Sequence, residues 1–263
     1  MSVYAKEKSE FLSEALDSII SQTVVPDEIV LVEDGPLPIG LTAVIEKYKE
    51  VANIISVKLQ KNVGLGIALN KGLEACSYEL VARMDSDDIC HKNRFEKQLD
   101  FMHKKPDVDI CSSWMEEFEY DISNIKALKK VPESHWQIAN YIGSRNPMNH
   151  PAVMFKKSKV LNSGGYKHFP LFEDWFLWVR MFIKGAKFAN IQESLLYFRT
   201  SSQLYKRRGG WSYALGSARF QWTLHKLGII SSISAITSSI IRVLVCLMPN
   251  KLREVMYNKF LRS

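Results

Sequence analysis

Over residues 27–90 the chain alternates short apolar runs with amphipathic stretches of helical period, and this alternation constrains its fold more than any other feature. In "DEIVLVEDG" an uninterrupted apolar run is closed by Glu33, Asp34 and Gly35, the pattern of a strand covered on both faces of a parallel sheet. "NIISVKLQ" and "YELVARMD" repeat it, while "GLTAVIEKYKEVA" and "GLGIALNKGLEA" between them read as helices. Upstream, Phe11, Leu12, Ala15, Leu16, Ile19 and Ile20 follow the three-four spacing of a helix, with Ser9 expected as its N-cap. Downstream, "NRFEKQLDFMHKK" and "WFLWVRMFIKG" predict helices and "DVDICSSW" a strand. Strands alternating with helices specify an α/β fold with a doubly wound, mostly parallel sheet flanked by helices.

In such sheets ligands bind beyond the carboxyl ends of the strands, which here carry Glu33-Asp34-Gly35 and Asp85-Ser86-Asp87-Asp88. Side chains at i and i+2 of an extended segment point the same way, so Asp85 and Asp87 face one target and Ser86 the other side. Two ionised carboxylates on one spot repel unless a cation joins them. Oxygen ligands suit a hard ion, Mn²⁺ or Mg²⁺, which takes one or two protein carboxylates and completes its shell with water and substrate phosphate. The alternative is a solvated acidic turn in which Asp88 caps a helix beginning near His91. Gly64 and Gly66 form only a partial dinucleotide fingerprint, since Leu69 stands where the third glycine belongs. Glycine there lets the backbone and a helix start approach a ligand closely.

With 46% hydrophobic and 24% charged residues the composition is globular. Four scattered cysteines in no metal-ligand spacing read as reduced thiols, and "MSVYAKEKSEF" lacks the features of an export signal, so a cytoplasmic location is expected. The net charge of +7 is unevenly placed: residues 204–263 hold ten Lys/Arg against Glu254 alone, leaving −2 for the rest. Within this basic segment Leu227 to Met248 is an apolar run rich in Ser and Thr, interrupted by Arg242. It only just reaches the ~20 residues a spanning helix needs. An in-plane helix on an anionic inner-leaflet surface is expected instead, with a C-terminal helical subdomain packed on the core as the alternative. Because the basic residues accompany an apolar segment rather than a groove-sized patch with exposed aromatics, nucleic acid is not expected as a partner.

Taken in order, "SVYA", "VEDG", "NVGLGIALNKG", "RMDSDD" and "EDW" resemble the motifs of the family 2 glycosyltransferases of the GT-A fold over residues 2 to about 200. The chain is most similar to bacterial O-antigen and exopolysaccharide galactosyl- or glucosyltransferases. Two departures from the family pattern are a short first strand and Glu33 where an aspartate is usual. The resemblance implies a GT-A domain at 1–203, with a nucleotide-sugar half to about 113 and an acceptor half beyond it, followed by a basic helical membrane-associating segment at 204–263. It further implies a UDP-sugar donor held by Tyr4, Glu33, Asp34, Gly64, Asn70, Asp85 and Ser86, and Asp87 as the main metal ligand. Asp174 would be the catalytic base. The implied acceptor is a sugar on undecaprenyl diphosphate, approached by His150, Glu173 and Trp175.

These residue types suit an inverting displacement, which needs a base for the acceptor hydroxyl and a cation for the departing diphosphate. On residue pattern alone, Glu173 and Asp174 also fit as first-turn acids of a helix whose Trp175, Leu177, Trp178 and Met181 pack inward. Arg199 and the run Lys206-Arg207-Arg208 are candidates to grip phosphate or lipid headgroups. Two other classes compete. A sugar-nucleotide nucleotidyltransferase would show a glycine-rich phosphate loop after its first strand, whereas "SVYAKEKSEF" has no glycine. A non-enzymatic membrane adaptor gives no reason for acids to converge on one rim.

Overall fold

The computed structural model describes residues 1–200 and 210–248. The predicted alternation is present as β1 (Ser2–Val3), α1 (Ser9–Ile20), β2 (Ile29–Glu33), α2 (Ile39–Lys49), β3 (Ile54–Lys58), α3 (Leu65–Ala75) and β4 (Leu80–Ala82). β2 lies between β1 and β3 in a parallel sheet, with Val32 opposite Ser2 on one side and Val57 on the other. All five residues of β2 are buried, as an unbroken apolar run requires. Helix α3 packs so closely on this strand that a Cβ at Gly72 would lie 2.9 Å from Val32 Cγ2, which explains a glycine inside a helix.

The chain continues through β5 (Ile89–Cys90), α4 (Arg94–Lys104), β6 (Ile110–Phe118), β7 (Ala127–Lys129), α5 (His135–Tyr141), a 3-10 turn at His150–Ala152, β8 (Met154–Lys156), α6 (Lys157–Asn162), α7 (Glu173–Ile183) and β9 (Phe188–Arg199). A second sheet has the order β4-β8-β6-β9-β5, with β7 on the edge of β6. Its longest ladder, β6 on β9, is parallel, while the short β4–β8, β6–β8 and β5–β9 ladders are antiparallel.

Strand alternation divides the core into two layers. Cys111, Met154 and Ala189 face α1 and α4, whereas their neighbours Ile110, Phe155 and Phe188 face α5 and α7. The second layer also receives α8 (Trp211–Lys226), whose Phe220 stacks on Phe172 with centroids 4.9 Å apart. α9 (Ser232–Leu247) folds back on α8 until the Gly210 N–H donates to the Cys246 carbonyl at 3.0 Å. Among the described residues no helix is long and apolar enough to cross a membrane.

Local details differ from expectation. Ser9 is the first residue of α1 rather than its cap, and the Lys8 N–H is taken by the Glu7 carboxylate at 2.9 Å. Strand β5, only two residues long, carries no readable pattern and exists because β9 pairs with it. Asp88 caps nothing. The next helix starts at Arg94, and Asp88 Oδ1 instead accepts the Arg199 N–H at 2.8 Å across 111 residues.

Phe220 is fully buried against Phe172 and Trp175. Phe220→Ala is therefore expected to lower unfolding stability by about 3–5 kcal/mol. Guanidinium unfolding followed by tryptophan fluorescence will measure this, and a loss below 1 kcal/mol would mean that α8 is not part of the core.

Candidate active site

The carboxyl ends of β2 and β4, the amino ends of α3 and α7, and the end of β9 converge on one rim. Asp34, directly after β2, is buried and accepts the Val63 N–H on Oδ1 at 2.7 Å and the Gly64 N–H on Oδ2 at 3.2 Å. Its carboxylate thus shapes the loop leading into α3, where Gly64 holds a φ of +87° that favours glycine. Gly35, at φ +91°, leaves room for the same loop, since a Cβ there would meet the Asn62 nitrogen at 2.7 Å. Glu33 points toward Lys58 on β3, 3.8 Å away. Tyr4, after β1, is 42% exposed and open to a ligand.

At the end of β4 the carboxylates of Asp85, Asp87 and Asp88 place ligand atoms within 4.8 Å of one another. Arg83, itself buried, grips Asp85 with both terminal nitrogens of its guanidinium, one at 2.7 Å. Burial works against the Arg83 charge, but Asp85, Tyr166 and Asp88 together outweigh it and raise the guanidinium above its ordinary value. Asp87 is pushed up to about 7 by burial and by the neighbouring Asp85 and Glu7 carboxylates. Asp88 is raised well above the ordinary range by the same forces, and its Oδ2 is buried without a partner. An orphaned carboxylate oxygen in an all-oxygen cluster fits a hard divalent cation. Ser86 is buried and donates to Glu7 at 2.9 Å, the same carboxylate that acts on Asp87.

Facing this cluster is the start of α7. Asp174 accepts from Asn146 Nδ2 at 2.6 Å, and burial raises its carboxyl above the ordinary value. Glu173 beside it is raised too, by burial and then by Asp174, and a Cβ on Gly66 of α3 would lie 3.5 Å from its Cγ. His150 bonds the Tyr166 hydroxyl through Nε2 at 2.9 Å, and burial holds its ring neutral, well below the usual imidazole range. Arg83 exerts its field on Asp174, His150 and Tyr166 alike, so these groups share one electrostatic environment.

Three expected residues have other duties. Asn70 spends its amide on the backbone of Tyr166, donating to the carbonyl and accepting from the N–H, each at 2.7 Å. Trp175, expected on the acceptor wall, is 4% exposed. Its indole N–H donates to the Ile142 carbonyl at 2.8 Å, Phe220 packs on the ring and the Arg242 guanidinium lies 5.4 Å from its centroid. The structure places it in the core, because a helix that points Asp174 at the rim turns the next side chain inward. Arg199, a candidate phosphate grip, is buried between Phe11 and Phe118, with its guanidinium bonded to the Asp87 carbonyl and to Glu14. Lys206-Arg207-Arg208 lies outside the described residues.

Three contributors were missed from sequence. Arg83 was detectable, since its i, i+2 spacing puts it on the side of Asp85. Glu7 and Asn146 carry no local signal; the fold brings them from 79 and 28 residues away. A cavity of about 410 Å³ beside β2 and β4, lined by Met1, Val24, Tyr78, Leu80 and Met154 among others, contains none of these groups.

The family model described as "Glycosyl transferase family 2" matches residues 1–161. The chain is 43% identical over 100% of its length to an Escherichia coli UDP-Gal:alpha-D-GlcNAc-diphosphoundecaprenol beta-1,3-galactosyltransferase, covering 95% of that protein. It is 38% identical over 98% of its length to the amylovoran biosynthesis glycosyltransferase AmsE of Erwinia amylovora, covering 97% of it. Among solved structures, the mannosyltransferase PcManGT of Pyrobaculum calidifontis, in complex with GDP-Man and Mn²⁺, superposes with a TM-score of 0.62 over 98% of this chain and 78% of that one. At 14% identity this last likeness is one of fold.

Mn²⁺ or Mg²⁺ together with uridine diphosphate is expected to raise Tm. At a hundredfold excess over Kd the gain is about 2.7 kcal/mol. A chelator should reverse it, and Asp87→Asn should lose most of it in the same thermal-shift assay.

Proposed function

We propose that this chain, which belongs to glycosyl transferase family 2 and has its GT-A fold, transfers galactose or glucose from a UDP-sugar to an N-acetylhexosamine carried on a lipid diphosphate. The reaction inverts the anomeric centre, as in the family, and the link formed is β1,3. One observation carries the reading. Three carboxylates with ligand atoms within 4.8 Å end a strand on the same rim as Asp34 and Asp174, in a chain 43% identical to a transferase named for that donor and acceptor class. The work is assigned to O-antigen or exopolysaccharide repeat-unit synthesis at the inner face of the cell membrane, where a lipid-linked acceptor is presented. Undecaprenyl diphosphate is the proposed carrier.

In this reading Tyr4 and Asp34 frame the uridine, and Glu33 and Gly64 line its pocket. Asp85, clamped by Arg83, is fixed to receive the ribose or the donor sugar, and Ser86 and Asn70 act one step back by holding Glu7 and the Tyr166 loop. A bound Mn²⁺ or Mg²⁺, with Asp87 as its main ligand beside Asp85 and Asp88, supplies Lewis-acid stabilisation of the leaving diphosphate. Asp174 takes the proton from the acceptor hydroxyl as that oxygen bonds to the anomeric carbon. The bond from that carbon to the diphosphate oxygen breaks on the opposite face, and its electron pair leaves with UDP. Glu173 and the neutral His150, paired with Tyr166, orient the acceptor. Trp175 contributes by anchoring the helix that carries Asp174.

Incubation with labelled UDP-galactose or UDP-glucose and an N-acetylglucosaminyl diphospholipid should give a β-linked disaccharide lipid; an α-linked product or no product would refute the proposal. Asp174→Asn is expected to lower kcat by about 10²- to 10⁴-fold while leaving UDP binding intact. The base must be ionised, so turnover falls as pH drops through its pKa, and burial places that acid limb above the ordinary carboxylate range. Asn146 favours the charged form of Asp174, so Asn146→Ala should move the limb to still higher pH in a kcat profile.

A further inference from the structure

The last helix, α9, inverts the usual amphipathic arrangement. A surface helix of a globular protein turns its large aliphatic residues inward and its small or polar ones to water. In α9 only the small Ala235 and Cys246 are buried, and Ser238, Ser239, Arg242, Val243 and Val245 are half-buried, whereas Ile233, Ile236, Ile240, Ile241, Leu244 and Leu247 are exposed. Exposure reaches 73% at Ile233 and 61% at Ile241. Even the one charge of the helix is turned inward, its guanidinium bonding the Ser144 carbonyl over Trp175. α8 buries Phe220 and Leu224 in the core as an ordinary amphipathic helix does, yet its outer side still exposes Trp211, Leu215 and Trp222. Trp211 stands next to Gly210, whose N–H meets Cys246 near the end of α9, so the tryptophan and the aliphatic stripe lie together.

An apolar surface of this extent marks a contact with a second molecule or a non-aqueous medium. Charge decides between them. Residues 210–248 contain Arg219, Lys226 and Arg242 and no acid, and the whole segment from 204 holds ten Lys/Arg against one Glu. Two copies meeting face to face would bring like charges together, whereas an apolar stripe bordered only by cations complements an anionic lipid surface. Spanning is ruled out by length: 16 residues of α9 rise about 24 Å, short of the ~30 Å hydrocarbon core.

We propose that the outer faces of α8 and α9 form a docking surface that lies in the plane of an anionic bilayer, with Trp211 and Trp222 at the headgroup level. This deepens the proposed function and rests on its lipid-linked acceptor, since docking would bring the rim carrying Asp174 to a substrate confined to the membrane.

Flotation of the full chain with vesicles of phosphatidylglycerol and phosphatidylethanolamine tests it, against phosphatidylcholine vesicles and with calorimetry for UDP and manganese in parallel. The intact chain should float with the anionic vesicles. The triple variant Ile236→Glu, Ile240→Glu, Leu244→Glu should partition at least about tenfold less while binding UDP unchanged and processing a short-chain, water-soluble acceptor normally. Arg219→Gln with Lys226→Gln should weaken flotation and reduce its salt dependence. Failure of the intact chain to float, or equal flotation of the triple variant, overturns the proposal. So does a stable dimer abolished by the triple variant, which would show a second copy covering the stripe. Should vesicles bind but no sugar move to either acceptor, the transferase reading fails and the docking surface stands.

Discussion

Three carboxylates crowded at the end of one strand repel one another, and arginines hold the segment that carries them. Arg83, just beyond β4, clamps Asp85 with its guanidinium. Arg199, at the far end of β9, donates its backbone N–H to Asp88 and its side-chain Nε to the Asp87 carbonyl. Phe11 and Phe118 sandwich that guanidinium at 4.0 and 4.5 Å, which keeps it fixed. A third, Arg94, is fully buried and ties the Arg83 carbonyl to helix α4. Each arginine satisfies backbone or carboxylate acceptors, so the desolvation of the cluster is largely compensated within the fold. What remains uncompensated, Asp87 held near 7 and an orphaned oxygen on Asp88, is what a divalent cation would relieve.

The second half of the rim is positioned by a different device. Asn70 of α3 holds both backbone groups of Tyr166, and the close approach leaves no room for a Cβ at Gly165, which sits at φ +59° and would clash with the Asn70 amide at 2.5 Å. Arg180 of α7 donates to the Gly165 carbonyl at 2.7 Å from the other side. The loop before α7 is therefore pinned between α3 and the helix that presents Glu173 and Asp174. It sets the register of α3 against α7, and Phe220 of α8 supports it through Phe172.

Much of this was legible in the sequence because it depends on local period and position. The apolar runs of β2 and β3 and the three-four spacing of α1 predict an alternating α/β sheet, and the rule that ligands gather at strand ends singles out Asp34, Asp85 and Asp87. Tertiary structure altered the roles within that set. Asn70 and Ser86 turn out to be braces, because the groups they bond, Tyr166 and Glu7, arrive from 96 and 79 residues away. Trp175 faces the core for the reason that Asp174 faces the rim, one helical step apart, and no residue pattern says which of two neighbours takes which side.

The sequence by itself determined the order of elements, the placement of acids where a sheet exposes its strand ends, and a basic segment with a weakly apolar run in it. Only the tertiary structure decided which groups satisfy which carboxylates, because the Arg199 N–H and the Asp88 carboxylate become neighbours through the pairing of β5 with β9. It likewise decided the facing of α9. An apolar helix can turn either side to the protein, and here Arg242 meets Trp175 and the Ser144 carbonyl while the isoleucines stay outside.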